Sequence, residues 1–139
     1  MSSPQHIYCQ SLLLLLREMH LEILCIQGCL NIGDEALYQL VRRCSRLQLV
    51  NIHGCRNVSD DGVMELAENS PALRYLCIST CVQLTDQALI SLASHCRDLV
   101  TLECAGLHHL TDAGFQVHCT GGKVARESCK DFLGIEIFI

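Results

Sequence analysis

Apolar and polar residues recur along the chain with a period of 26. The same pattern begins, without a gap between copies, at Leu21, Leu47, Leu73 and Leu99. Within each copy, apolar residues at positions 4 and 6 alternate with variable residues, which predicts a short half-buried strand. The residues at these two positions are Leu24 and Ile26, Val50 and Ile52, Leu76 and Ile78, and Leu102 and Cys104.

A helix is predicted in the second half of each copy. Apolar residues at positions 17 and 20 continue to a cysteine at position 24 in two copies, a spacing that marks one face of a helix. An aspartate stands at position 14 in all four copies, ahead of this apolar run. A short side-chain acceptor at that place predicts a helix N-cap. The predicted N-caps are Asp34, Asp60, Asp86 and Asp112.

One strand, one turn and one helix in a leucine-spaced period of 20 to 29 residues is the leucine-rich-repeat signature. Neither element can bury its apolar face alone, so the copies must stack on each other. We therefore expect an α/β fold, a short right-handed βα solenoid with parallel strands on the concave face and helices on the convex face. The predicted repeats are 21–46, 47–72, 73–98 and an incomplete 99–116.

The two ends of the chain do not follow the repeat. Residues 1–20 are interpreted as a divergent helix of a preceding repeat, lying against the first strand, or as a disordered tail. Residues 117–139 are interpreted as a non-repeat tail, because Gly121 and Gly122 would break a helix where the pattern still requires one. Our hypothesis is that the chain leaves the repeat frame near Val117.

Cysteines mark a specific subtype of the repeat. They occupy position 9 in three copies and position 24 in two, as Cys29, Cys55, Cys81, Cys44 and Cys96. With the aspartate at position 14, this pattern resembles the cysteine-containing repeats of the F-box and leucine-rich-repeat protein family. The resemblance implies the substrate-recognition part of an SCF E3 ubiquitin ligase receptor. Twenty residues precede the repeats, so we expect no F-box. In this family the Skp adaptor and the cullin are reached only through the F-box.

Composition limits the other classes of function. The net charge is -5 and no basic cluster is longer than Arg42-Arg43, so a nucleic-acid partner is not expected. The apolar run Leu12 to Leu16 is too short to span a membrane, and no secretory signal pattern is seen. We expect reduced cysteines and a location in the cytoplasm or the nucleus.

Each group of candidate metal-binding or catalytic residues also has a structural explanation. Cys25 and Cys29 have a zinc-like spacing, but the equivalent pair in the second repeat begins with Asn51. His108 and His109 lie near Cys104, which is already assigned to a buried position. We therefore expect no enzyme activity, no metal site and no cofactor. The alternatives to a ubiquitin ligase receptor are a ubiquitin-independent adaptor or inhibitor and, less favoured, a cysteine-based metal or redox protein.

The remaining candidate site is the outer face of the strands. Positions 3, 5 and 7 point away from buried positions 4 and 6 and should line the concave face, which suits a protein partner. Shielding of this face by the N-terminal segment is the alternative. The candidate residues are Ile23, Cys25, Gln27, Leu49, Asn51, His53, Tyr75, Cys77, Ser79, Thr101 and Glu103.

Overall fold

The computed structural model describes residues 20–118 and 136–138. Strands and helices alternate through the described part. The strands are β1 (Ile23–Cys25), β2 (Leu49–Asn51), β3 (Tyr75–Cys77), β4 (Thr101–Glu103) and β5 (Glu136–Phe138). The helices are α1 (Asp34–Val41), α2 (Asp60–Asn69), α3 (Asp86–His95) and α4 (Asp112–His118).

The five strands form one parallel sheet in chain order. Leu24 lies opposite Val50, Val50 opposite Leu76, and Leu76 opposite Leu102, so each step along the sheet is one 26-residue repeat. The helices pack on their neighbours in the same order. The fold is an α/β leucine-rich-repeat solenoid, as the repeat pattern predicts.

The core lies between the strands and the helices and is continuous from the first repeat to the fourth. In the second repeat Val50, Ile52, Val58, Val63 and Leu66 are all fully buried. These residues occupy the repeat positions 4, 6, 12, 17 and 20 that were expected to be apolar. Hydrophobic periodicity alone therefore identifies the core.

The C-terminal end of the sheet differs from the sequence interpretation. Residues 136–138, which were placed in a non-repeat tail, pair with β4, and Ile137 lies opposite Leu102. The step from β4 to β5 is 35 residues instead of 26, so no periodic search would find it. Helix α4 also continues to His118, beyond the predicted end of the repeats. Residues 1–19, with their proposed helix or tail, and Gly121-Gly122 lie outside the described residues.

Three of the four aspartates at position 14, Asp34, Asp60 and Asp86, connect neighbouring repeats. Each of the four is the first residue of its helix, so the prediction that they are N-caps was wrong. Asp60 is the first residue of its helix, and Ser59 is the N-cap. The Asp60 carboxylate accepts the backbone N–H of Thr85 at 2.8 Å and the Thr85 hydroxyl at 2.5 Å. The same two bonds join Asp34 to Ser59 and Asp86 to Thr111. One carboxylate thus satisfies two donors at the start of the next helix.

Glycine at position 16 makes room for this carboxylate in two of the repeats. A Cβ atom on Gly62 would collide with the carboxylate of Asp34, and one on Gly114 would collide with that of Asp86. The small residue is therefore part of the same connection between repeats.

Cysteine thiols form a second connection between repeats. The Sγ atom of Cys55 donates to the carbonyl of Ile26, and that of Cys81 to the carbonyl of Ile52, each at 3.1 Å. Cys96 Sγ lies 3.5 Å from the carbonyl oxygen of Ser70 in the preceding repeat. The sequence explained these cysteines as small apolar residues. Each is also a buried hydrogen-bond donor to its neighbour.

Replacing Asp60 with alanine should lower the free energy of unfolding by about 1 to 3 kcal/mol, because two donors of Thr85 lose their acceptor. Urea unfolding followed by circular dichroism measures the change. Asp61→Ala is the matched control, since Asp61 is exposed in the same first helical turn. Equal midpoints for the two variants would show that the connection between repeats contributes no stability.

Stability should fall as the pH rises above about 9. Burial raises the pKa of the Cys96 thiol from 9.0 to about 12 and, with the neighbouring Cys55, that of Cys81 also to about 12. Between these values the unfolded chain has lost protons that the folded chain keeps, so the free energy of unfolding decreases with pH. One such thiol contributes a slope of at most about 1.4 kcal/mol per pH unit.

Urea midpoints measured from pH 7 to pH 11 test this effect. Cys96→Ala should lower the stability at pH 7 but flatten its decline above pH 9. Cys25→Ala is the matched control for the loss of one thiol, since Cys25 is exposed. A parent slope in Cys96→Ala would contradict the assignment.

Candidate protein-binding face

The parallel register arranges the outward side chains of the strands in rows. We define the concave face as the side chains at positions 3, 5 and 7 of the four repeats. Position 3 forms the row Ile23, Leu49, Tyr75 and Thr101. Position 5 forms the row Cys25, Asn51, Cys77 and Glu103. The backbone of β5 pairs with that of β4 at the end of the sheet. The structure thus places the candidate residues on one side of the sheet.

The half of the concave face on the first two repeats is open. Ile23 is 61% exposed, the most exposed of the large hydrophobic residues in the described part of the chain. Cys25, Gln27 and His53 are also exposed, and Leu49 is half-buried. The side-chain oxygen of Asn51 accepts the backbone N–H of His53 at 3.0 Å, which holds the amide on its own strand. This half presents apolar surface beside fixed polar groups.

The half on the third and fourth repeats is closed. Cys77 is 2% exposed and Ser79 is 5% exposed. The Ser79 hydroxyl oxygen accepts the backbone N–H of Ala105 at 3.0 Å. Both side chains are buried, which corrects the expectation that they line an accessible surface. Tyr75, Thr101 and Glu103 are half-buried and form the accessible part of this half.

Glu103 organises the closed half electrostatically. Burial and a hydrogen bond to the Glu103 carboxylate raise the pKa of Tyr75 to about 12, with a further contribution from the negative charge. Burial raises the pKa of the Cys77 thiol, and the Glu103 carboxylate acts in the same direction. At neutral pH the phenol and the thiol are therefore protonated donors beside one carboxylate. The cluster has polar groups for orientation but no activated nucleophile.

Thr80 borders the concave face and was not recognised from the sequence as a special residue. It has a φ of 59°, in the left-handed region, where the equivalent residues are Gly28, Gly54 and Gly106. A β-branched residue in that conformation is strained. The Thr80 methyl would lie 3.2 Å from a Cβ on Gly106, so its side chain fills the space next to that glycine turn. The sequence contains one sign of this strain, a threonine at a repeat position that is glycine in the other three copies.

The other candidate metal-binding and catalytic residues are not brought together in the described part of the chain. Within residues 20–118, no group of three His, Cys, Asp or Glu side chains is arranged to hold a metal ion. His108 and His109 are exposed on a loop, while Cys104 is buried in the core. No helix in the described part is long and apolar enough to cross a membrane.

No protein-family model and no curated protein sequence matches the chain. Solved structures do match its fold. The C-terminal domain of tropomodulin from Caenorhabditis elegans superposes with a TM-score of 0.65 at 17% identity, covering 94% of this chain and 81% of that one. A chain of the yeast Rad7 and Elc1 complex superposes with a TM-score of 0.57 at 15% identity, covering 87% of this chain.

The chain spans about a third of the length of its match in the yeast complex, 33%. At these identities the similarity establishes the fold alone. The leucine-rich-repeat architecture therefore rests on two observations, the 26-residue period and the likeness of structure.

Thiol labelling should separate the two halves of the concave face. Cys25 is exposed and Cys77 is buried with a raised pKa, so iodoacetamide at pH 7.5 should alkylate Cys25 at least about tenfold faster. Digestion and mass spectrometry resolve the two sites. In urea the two rates should converge. Equal rates in the native protein would show that the third repeat is as open as the first.

Proposed function

We propose that the chain is a protein-binding module that holds part of a partner protein on its concave face. The observation that carries this proposal is Ile23, exposed at 61% on a strand and beside the half-buried Leu49. Exposed apolar surface on a rigid scaffold is a common feature of interfaces. Stacked repeats supply that rigidity, because every strand is fixed by its neighbours.

The shape and charge of the face favour a protein over other ligands. Four strands spaced by about 4.8 Å give a surface roughly 15 Å wide, which matches a peptide or the edge of a domain better than an enclosed small molecule. Positions 3, 5 and 7 carry no lysine or arginine in any of the four repeats, and Glu103 is their one acid. Phosphate groups would find no counter-charge on this face.

The partner should meet two kinds of surface. Apolar side chains would cover Ile23 and Leu49 in the open half. Donor groups would meet Glu103, whose carboxylate already accepts the Tyr75 hydroxyl. The apolar half supplies affinity through burial, and the polar half fixes the orientation of the partner.

A more specific form of the proposal is that this chain is the substrate-recognition part of an SCF ubiquitin ligase receptor. The resemblance of its cysteine and aspartate positions to the F-box and leucine-rich-repeat family supports it. Under this proposal the chain binds the substrate without catalysing a reaction, and the Skp adaptor and cullin are reached only through an F-box. A ubiquitin-independent adaptor would use the same face. A cytoplasmic or nuclear location is part of the same proposal.

The experiment compares two double variants in quantitative affinity purification. Ile23→Asp with Glu103→Lys alters the concave face. Met64→Asp with Glu68→Lys makes the same changes on exposed positions of helix α2. We expect at least one partner that is retained by the parent and the control but is reduced tenfold or more by the concave variant.

Urea unfolding of both variants shows whether each remains folded. Co-purification of a Skp adaptor with longer, F-box-containing forms would distinguish the ubiquitin ligase form of the proposal from a plain adaptor. If all folded variants retain the same proteins, the concave face is not the binding site.

A further inference from the structure

The loops that follow the strands carry a different surface from the concave face. We call residues 27–31, 53–57, 79–83 and 105–109 the loop rim. None of these twenty residues is acidic, although the whole chain has a net charge of -5. The rim contains one arginine, Arg56, and three histidines. Two of its apolar side chains, Leu30 at 52% and Val82 at 36%, are exposed.

The rim is held by hydrogen bonds between successive loops. The side-chain amide of Asn57 donates to the carbonyl of Leu30, and that of Gln83 donates to the carbonyl of Arg56 at 2.8 Å. Backbone bonds of 2.7 to 2.9 Å join the loops again, from Gly28, Gly54 and Thr80 to the next repeat. The loops therefore present their side chains in a fixed arrangement, which lowers the entropic cost of binding.

Three of the exposed rim side chains stand at the same position of successive repeats. Leu30, Arg56 and Val82 all occupy position 10, and His108 follows them. At about 4.8 Å per repeat, the backbone positions of Leu30 and Val82 lie roughly 10 Å apart with that of Arg56 between them. Guanidinium groups bind carboxylates through paired hydrogen bonds. The row thus has the form of a cation flanked by two apolar contacts.

The negative charges nearest this row lie at the helix starts. Asp34, Asp60 and Asp86 stand four positions further along each repeat, and each accepts hydrogen bonds from the following repeat. Glu35 and Asp61 are exposed at the next position. Within the rim itself no residue is acidic and Arg56 is the one arginine, so Arg56 is the group that would attract a carboxylate.

We propose that the loop rim docks an acidic segment of a partner protein. In this segment a carboxylate would bind Arg56, and apolar residues on either side of it would cover Leu30 and Val82. A nucleic acid is the less favoured ligand, because one arginine over four repeats offers few phosphate contacts. The rim shares the position-7 residues with the concave face, but the proposed contacts use the position-10 side chains, so it is a second site beyond the proposed function. The shared residues are Gln27, His53, Ser79 and Ala105.

A peptide-display selection on the intact chain tests the proposal, with random twelve-residue peptides as the probe. Enriched peptides should share an Asp or Glu with apolar residues on both sides. Synthetic copies labelled with fluorescein give dissociation constants by anisotropy. We expect Arg56→Glu to weaken binding at least tenfold and Leu30→Ser to weaken it several-fold, with binding weakening further as salt is raised.

Arg97→Glu is the matched control, because it makes the same charge change at an exposed site in the loop that precedes β4. This control should bind within twofold of the parent, and urea unfolding should confirm that every variant is folded. Ile23→Asp separates the two sites. Peptides that bind Ile23→Asp normally but fail to bind Arg56→Glu support the rim.

Three outcomes would overturn the rim proposal. In the first, selected peptides fail to bind Ile23→Asp but bind Arg56→Glu normally, which would leave the concave-face proposal intact. In the second, the selection yields no peptide that depends on Arg56. In the third, Arg56 is needed only for binding a single-stranded oligonucleotide, measured in the same assay, which would assign the rim to nucleic acid.

Discussion

The hydrogen bonds between successive repeats are the interaction on which the rest of this structure depends. A carboxylate at the start of one helix accepts two donors at the start of the next, as between Asp60 and Thr85. In the turn before that next helix, a cysteine thiol donates to a carbonyl of the preceding repeat, as Cys81 does to Ile52. Both bonds require a spacing that is the same in each copy. A one-residue insertion between the two partners would move the donors away from their acceptors and turn the next strand over.

This constraint separates the positions that hold the stack from those that vary. Positions 4, 6, 9 and 14 keep their residue class in nearly all the copies because they are buried or bonded between repeats. Positions 3, 5, 7 and 10 change from copy to copy, and most of these residues are exposed or half-buried. Ile23 and Tyr75 therefore share one row but present different chemistry. At one end of the concave face Ile23 presents apolar surface, and at the other end Glu103 presents a carboxylate.

Much of the fold could be predicted from the sequence, because a repeated apolar pattern specifies both the elements and their register. Val50 and Leu76 were recognised as core residues for this reason. The role of Asp60 could not be predicted, because an aspartate also suits an N-cap and only the neighbouring repeat shows which role applies. The burial of Cys77 and Ser79 likewise depends on the repeats around them. Strand β5 was missed because its spacing breaks the period.

Binding and stability should be coupled in this molecule. In a stack of repeats, stability depends on the interfaces between neighbours as well as on each repeat. The concave rows and the loop rim both run across these interfaces. A ligand that bridges Leu30 and Val82 would touch three repeats at once, and one that bridges Ile23 and Glu103 would touch all four. Such a ligand binds only when the repeats are stacked, so its binding free energy adds to the interfaces it crosses. A partner bound across several described repeats would therefore stabilise their stacking.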